Sequence, residues 1–477
     1  MQRVADGSTR AGSPRPRGPQ RRQCRHRARR NDRPPVRHRQ HQRFARQNRL
    51  HPQRRFHPRT ADRNPRQRPG LGRQRDGRQI QPRVRTVGQT QRRRIMKLLV
   101  FAHVPPPFHG QSFMVQQLLD ELRDDETIEV FHVDSRLSRD VDDIASASPR
   151  KLLLIFRYCL KAIWLRLRHG VNYFYCVPAP GLRNAVYRDW IVMMLCRPFF
   201  RRTIFHYQAS GVGSWLETGA RPWERWVSRR LLGRPALSIV LGDYYHEDAA
   251  KLSPRNIVTV PNSAPDPCPD YDTVLQPAQQ SRAKALAQAR IGGEAAATFR
   301  VLYLSLCYRE KGLFDAIDAV AEINARLQTK QSAARVQLDV AGKFYLAGEE
   351  AKFTGRLGQA ELNDAHGPLV VYHGFADEPK KRELFAQADA FVLASYYEFE
   401  AHPVSLVEAM AHGLPIIATR WRILPELFPT GYEGLVDTKS PRQIADRLEG
   451  FLGRTDEAGL RDRFLRHFTR RAFGEKI

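Results

Sequence analysis

The stretch ASYYEFEAHPVSLVEAMAHGLPIIAT, residues 394–419, decides the fold. It reads as the end of a strand, a turn holding Glu400, a helix start near Pro403, Glu408 on that helix, a stop at Gly413 and a second strand. The flanking runs FVLAS and PIIAT are short and apolar, at strand length, and Pro403 has no N–H to lose in a first helical turn. A βαβ unit of this kind binds ligands at the carboxyl ends of its strands. The helix start there offers unpaired N–H groups and a partial positive charge to a phosphate.

The same order of elements recurs outward along the chain. MKLLVFAH, residues 96–103, is a buried strand followed by VPPPFHGQS and the helical pattern FMVQQLLDELRD. After residue 298, FRVLYLSL is followed by CYREKG, LFDAIDAVAEINARL and VQLDVAGKF. Strands alternating with helices argue two α/β domains with mainly parallel sheets. The 382 residues from Met96 onward also exceed what a single core usually serves. We place the domains at residues 96–275 and 276–452, with a helical segment over 453–477. The join lies between residues 263 and 297, where NSAPDPCPD leads into a polar, Ala- and Gln-rich passage.

Residues 1–95 are different in kind. They contain 30 Arg and no Lys, with four Asp and no Glu, and so carry +26 of the formal +30. Rich in Pro, Gln and His and lacking either period, this segment is expected to be disordered. Arg without Lys is odd in a tail selected for charge, so Met96 is the expected native start and the upstream stretch translated non-coding sequence. Phosphate binding by a basic nucleic-acid-binding tail is the rival reading. The six Cys show no CxxC pair or metal-ligand spacing, which argues for a reducing, cytoplasmic setting without structural zinc. No targeting peptide is expected, and the apolar runs are too short to cross a bilayer. KLLLIFRYCLKAIWLRLRHG, residues 151–170, mixes bulky apolar residues with five Lys or Arg. Such a helix either lies peripherally on an anionic membrane surface or packs as an ordinary basic helix on the first sheet.

From Met96 to about residue 450 the chain resembles a retaining glycosyltransferase of family 4, with the two-Rossmann-domain fold called GT-B and a cleft between the domains. The resemblance rests on Glu400-AHPVSLV-Glu408, which has the E-x7-E spacing of that family and is followed by AMAHGLPIIAT. It implies that Glu400 faces the donor hexose near its 3-hydroxyl and that Glu408 binds the ribose hydroxyls. A carboxylate suits both roles, since it accepts from vicinal hydroxyls and fixes their orientation. His402, Pro403 and Val404 fall at the helix start assigned to the donor. Lys311 in CYREKG matches the Lys that binds the donor diphosphate, where a cation stabilises charge on the departing phosphate. The family's Arg five positions earlier is missing, Ser305 and Leu306 standing in the GRL element, and Arg309 is the substitute considered. Gly110 in VPPPFHGQS resembles the glycine of a loop closing over phosphate and acceptor, with Gln111 where a second glycine is common. His206 in TIFHYQAS resembles a His near the reacting sugar. Trp421 and Arg422 replace the usual glycine pair before I-P-E.

The resemblance implies transfer of a hexosyl unit from a UDP- or GDP-linked sugar to a hydroxyl acceptor with retention, in polysaccharide, lipopolysaccharide or glycolipid biosynthesis. No metal or further cofactor is expected, since Lys311 and a helix start carry the phosphate charge and no convincing DxD pair is present. The alternatives are a nucleotide-sugar 2-epimerase or hydrolase on the same scaffold, and a nucleic-acid-binding protein acting through residues 1–95.

Overall fold

The computed structural model describes residues 95–106, 110–137, 149–209, 211–292, 295–344, 346–456 and 458–477. The expectations for residues 1–94, including the native start and the basic tail, lie outside the described residues. The remainder folds as two Rossmann-like α/β lobes, each built on a parallel six-stranded sheet.

The first lobe runs β1 (Met96–Phe101), α1 (Gly110–Arg123), β2 (Ile128–Val133), α2 (Pro149–His169), β3 (Tyr173–Cys176), α3 (Arg183–Cys196), β4 (Arg202–His206), α4 (Pro222–Leu231), β5 (Leu237–Val240) and β6 (Ile257–Thr259). Its strand order is β2-β1-β3-β4-β5-β6. MKLLVF forms an inner strand because both of its faces are apolar. Leu99 and Phe101 join the core under α2 and α3, while Leu98 and Val100 join the core under α1. Helix α1 buries Met114, Val115, Leu118, Leu119 and Leu122 at helical spacing.

The second lobe continues with α5 (Gln276–Arg290), β7 (Ala297–Leu304), α6 (Leu313–Thr329), β8 (Ala334–Ala341), α7 (Ala347–Leu357), β9 (Val370–Tyr372), α8 (Glu378–Gln387), β10 (Ala390–Leu393), α9 (Val404–Ala411), β11 (Ile416–Thr419), β12 (Leu435–Val436) and α10 (Pro441–Phe451). The strand order is β9-β8-β7-β10-β11-β12. The polar passage at the join is a helix, α5, and it is fastened to the second lobe. Arg282 Nε donates to Asp389 at 2.8 Å and Gln279 donates to the His412 carbonyl at 2.8 Å. Beyond α10 come two short helices, α11 (Leu460–His467) and α12 (Arg470–Gly474). The second crosses back. Phe473 enters the core under α1, Arg470 pairs with Glu121, and Ala264 N–H donates to the Phe468 carbonyl at 2.9 Å.

Candidate active site

The strand order of the second sheet reverses between β7 and β10, so the loops leaving those two strands flank a crevice at their carboxyl ends. Lys311 stands on the first loop and Glu400 on the second. Lys311 Nζ donates to both Glu400 carboxylate oxygens at 2.8 Å, with the side chains 13% and 5% exposed. Ser395, fully buried at the end of β10, donates its hydroxyl to the same carboxylate. The Lys311 ammonium also lies 4.8 Å from the Tyr397 ring centre, where a cation is attracted to the ring face. Gly312 makes this close approach of loops feasible. Its φ is +78°, and a Cβ there would sit 2.2 Å from the Ala394 carbonyl oxygen, so no other residue fits. From the first lobe, the Tyr245 hydroxyl donates to the Glu400 backbone carbonyl.

Glu408 lies on α9 and meets Lys381 of α8 at 2.5 Å; Lys381 also donates to Glu378 at 2.8 Å. Burial pushes the Glu408 carboxyl pKa up while Lys381 opposes that push. Desolvation works against the Lys381 charge, but Glu408 and Glu378 outweigh it and raise its pKa. Pro403 is the N-cap of α9 and not its first helical residue, and no side chain caps that helix. The orphan N–H groups of its first turn are the groups an anion uses. Val404 faces the first lobe, one of its methyls 3.9 Å from where a Gly110 Cβ would stand. That spacing is an ordinary contact, so the protein's own packing demands no glycine at position 110. His402 is packed away: its ring lies 5.4 Å from Phe468, its carbonyl accepts from Asn262 at 2.9 Å, and burial lowers its pKa to about 3.

His206 ends β4 and is buried, which lowers its pKa to about 3. The Gln208 amide nitrogen donates to its Nε2 at 3.0 Å, so Nδ1 carries the proton and donates to the Tyr175 hydroxyl at 2.7 Å. Both ring nitrogens are therefore engaged, and a sugar hydroxyl reaches Nε2 only if Gln208 gives way. Arg309 is exposed and stacks 4.6 Å over Phe314, while its N–H donates to Glu349 at 3.0 Å. Trp421 donates from its indole to the Tyr397 carbonyl at 2.8 Å. Arg422 adopts φ +50°, a left-handed conformation that a glycine would adopt without strain. Among the described residues, no group of three or more His, Cys, Asp or Glu could hold a metal ion.

Fold and site together define a two-lobed GT-B scaffold with a charged crevice in its second lobe. Residues 288–464 match the family model described as glycosyl transferases group 1, a span that includes Lys311, Lys381, Glu400 and Glu408. A putative colanic acid biosynthesis glycosyltransferase, WcaL of Salmonella typhimurium, is 29% identical over 150 residues, covering 30% of this chain and 33% of its own length. The WcaL of Escherichia coli is 28% identical over 161 residues, 33% of this chain and 36% of that protein. The match thus spans about a third of the length of these curated relatives. In overall fold the chain is similar to Anabaena HepE in complex with UDP and glucose, at TM-score 0.50 and 15% identity over 80% of this chain and 97% of that one. It is also similar to a glycosyltransferase from Rickettsia africae, at TM-score 0.55 and 11% identity over 80% and 96%.

Proposed function

We propose that this chain transfers a hexosyl unit from a nucleoside diphosphate sugar to a hydroxyl acceptor, with retention of anomeric configuration. The observation that carries the reading is the Lys311–Glu400 pair at the switch point of the second sheet, inside the segment that matches the glycosyl transferase family. In this reading Glu408 accepts from the ribose hydroxyls, with Lys381 opposing the burial that favours the neutral carboxyl. Lys311 turns from Glu400 toward the diphosphate, together with the first-turn N–H groups of α9. That exchange frees Glu400 oxygens to accept from the hexose, while Ser395 keeps the carboxylate in place. The bond from the anomeric carbon to phosphate breaks as the acceptor oxygen bonds on the same face. The acceptor proton passes to a departing phosphate oxygen. Lys311 stabilises the charge that develops there, which lowers the barrier and not merely the dissociation constant. His206, neutral and hydrogen-bonded, orients by hydrogen bonding and does not carry charge. The names of the WcaL relatives support an acceptor in polysaccharide assembly. Screening the full chain against UDP- and GDP-linked hexoses by calorimetry tests the donor assignment. Binding of one nucleotide sugar that Glu408→Gln weakens supports it; absence of binding to every such donor refutes it.

A further inference from the structure

Helix α2 has two apolar faces, and one of them is uncovered. Ile155, Cys159, Ala162 and Leu165 are buried against the first sheet. At roughly 100° per residue, Leu153, Phe156, Leu160, Trp164 and Leu167 fall on the opposite side. Leu153, Leu160, Trp164 and Leu167 are 58–71% exposed. Arg150, Arg157, Lys161 and Arg168 run beside that stripe, and the helix contains no acidic residue.

The surface continues onto the neighbouring elements. Arg166 of α2 donates to the Phe199 carbonyl at 2.8 Å, and Phe199 and Arg201 are exposed on the turn after α3. Trp223 of α4 packs 5.8 Å from Trp190 of α3. Trp226 follows it, 69% exposed, with Arg229 and Arg230 exposed on the same helix. Glu224, the acidic residue of α4, is buried and paired with Arg183 at 2.8 Å, so it does not offset the outer charge.

Exposed bulky apolar side chains gathered on α2 and on the elements beside it mark an interaction surface. Trp, Leu and Phe interleaved with Arg and Lys suit the headgroup zone of a bilayer, where rings enter the acyl boundary and cations meet lipid phosphates. A second copy of the chain would set one basic rim against another, whereas an anionic leaflet complements it. We infer that the face formed by α2, the turn after α3 and α4 seats the first lobe on an anionic lipid bilayer.

The test mixes the full chain with vesicles of phosphatidylcholine, alone or with phosphatidylglycerol, whose acyl chains carry bromine. Residues 1–95 contain no Trp, so quenching of Trp fluorescence reads the helical face and not the basic segment. Phosphatidylglycerol vesicles should carry the protein on flotation and quench its fluorescence. Leu153→Gln/Leu160→Gln/Leu167→Gln, which keeps every Trp, should lose most of that quenching, with an unchanged thermal midpoint because all three sites are exposed. Flotation without quenching, or a variant quenched as fully as the parent, overturns the inference. A dimer in buffer that the substitutions dissolve also overturns it, by giving the face to a second copy. Vesicle binding is read without turnover, so its failure is separate from failure of the proposed transfer reaction.

Discussion

Replacing Lys311 by Met tests the crevice where stability and chemistry share one contact. The substitution leaves Glu400, 5% exposed at its side chain, without its cation. Breaking a buried pair from one side costs about 3–5 kcal/mol. Lys311 retains 13% exposure and Ser395 stays on the carboxylate, which puts Lys311→Met near the lower bound, at about 3 kcal/mol. For a lobe of this size that lowers the thermal midpoint by roughly 6–12 °C. Adding Glu400→Gln removes the stranded charge, and the amide still accepts from Ser395, so the double variant should regain about 2 kcal/mol over Lys311→Met. Scanning calorimetry of the parent, both single variants and the double closes the cycle. In the folded fraction, turnover by Lys311→Met should fall by about 100-fold or more. Affinity for a nucleoside monophosphate, which lacks the outer phosphate, should hold. Additive losses in the double variant, or a Lys311→Met midpoint within 1 °C or so of the parent, would refute the pairing argument.

Further outcomes follow from the same geometry. Glu408→Gln should weaken nucleotide binding about tenfold or more, since a charge-assisted hydrogen bond is worth roughly 1.5–3 kcal/mol; unchanged affinity in titration calorimetry removes the ribose assignment. Gly312→Ala places a methyl 2.2 Å from the Ala394 carbonyl at a positive φ, and should cost more than about 2 kcal/mol, read as a lowered denaturant midpoint. Burial lowers the pKa of His206 and His402 to about 3 and that of His412 to about 4. The unfolded chain therefore binds these protons first as pH falls below about 6.5, so stability is full above that pH and drops beneath it, by about 2 kcal/mol per ring at pH 5. Thermal midpoints that stay flat between pH 7.5 and 5 would contradict this.

The βαβ unit around Glu400 was legible because its signals are local: apolar strand-length runs, a proline at the helix start and a glycine at its end. Gly413 does take φ +61°. Lys311 and Glu400 were each readable in their loops, but their contact joins positions 89 apart through the order of strands. Lys381 carried no signal at all, because a lysine on an exposed helix face looks the same whether or not a glutamate lies opposite. The return of α12 to the first lobe is likewise a long-range packing event, with Phe473 indistinguishable in sequence from any terminal apolar residue. For α2 the sequence left open which apolar residues face the sheet. Ile155 and Leu165 pack on the sheet, while Leu160 and Trp164 face outward, a division that mixed composition alone could not assign to faces.

The most direct measurement of the central claim incubates the full chain with a nucleotide sugar labelled in its hexose and a hydroxyl acceptor, and follows the anomeric signal by NMR. The account predicts a new glycoside carrying the label in the configuration it had in the donor, with release of the nucleoside diphosphate. Donor returned as its 2-epimer, labelled free hexose with no glycoside, or a glycoside of inverted configuration would contradict it.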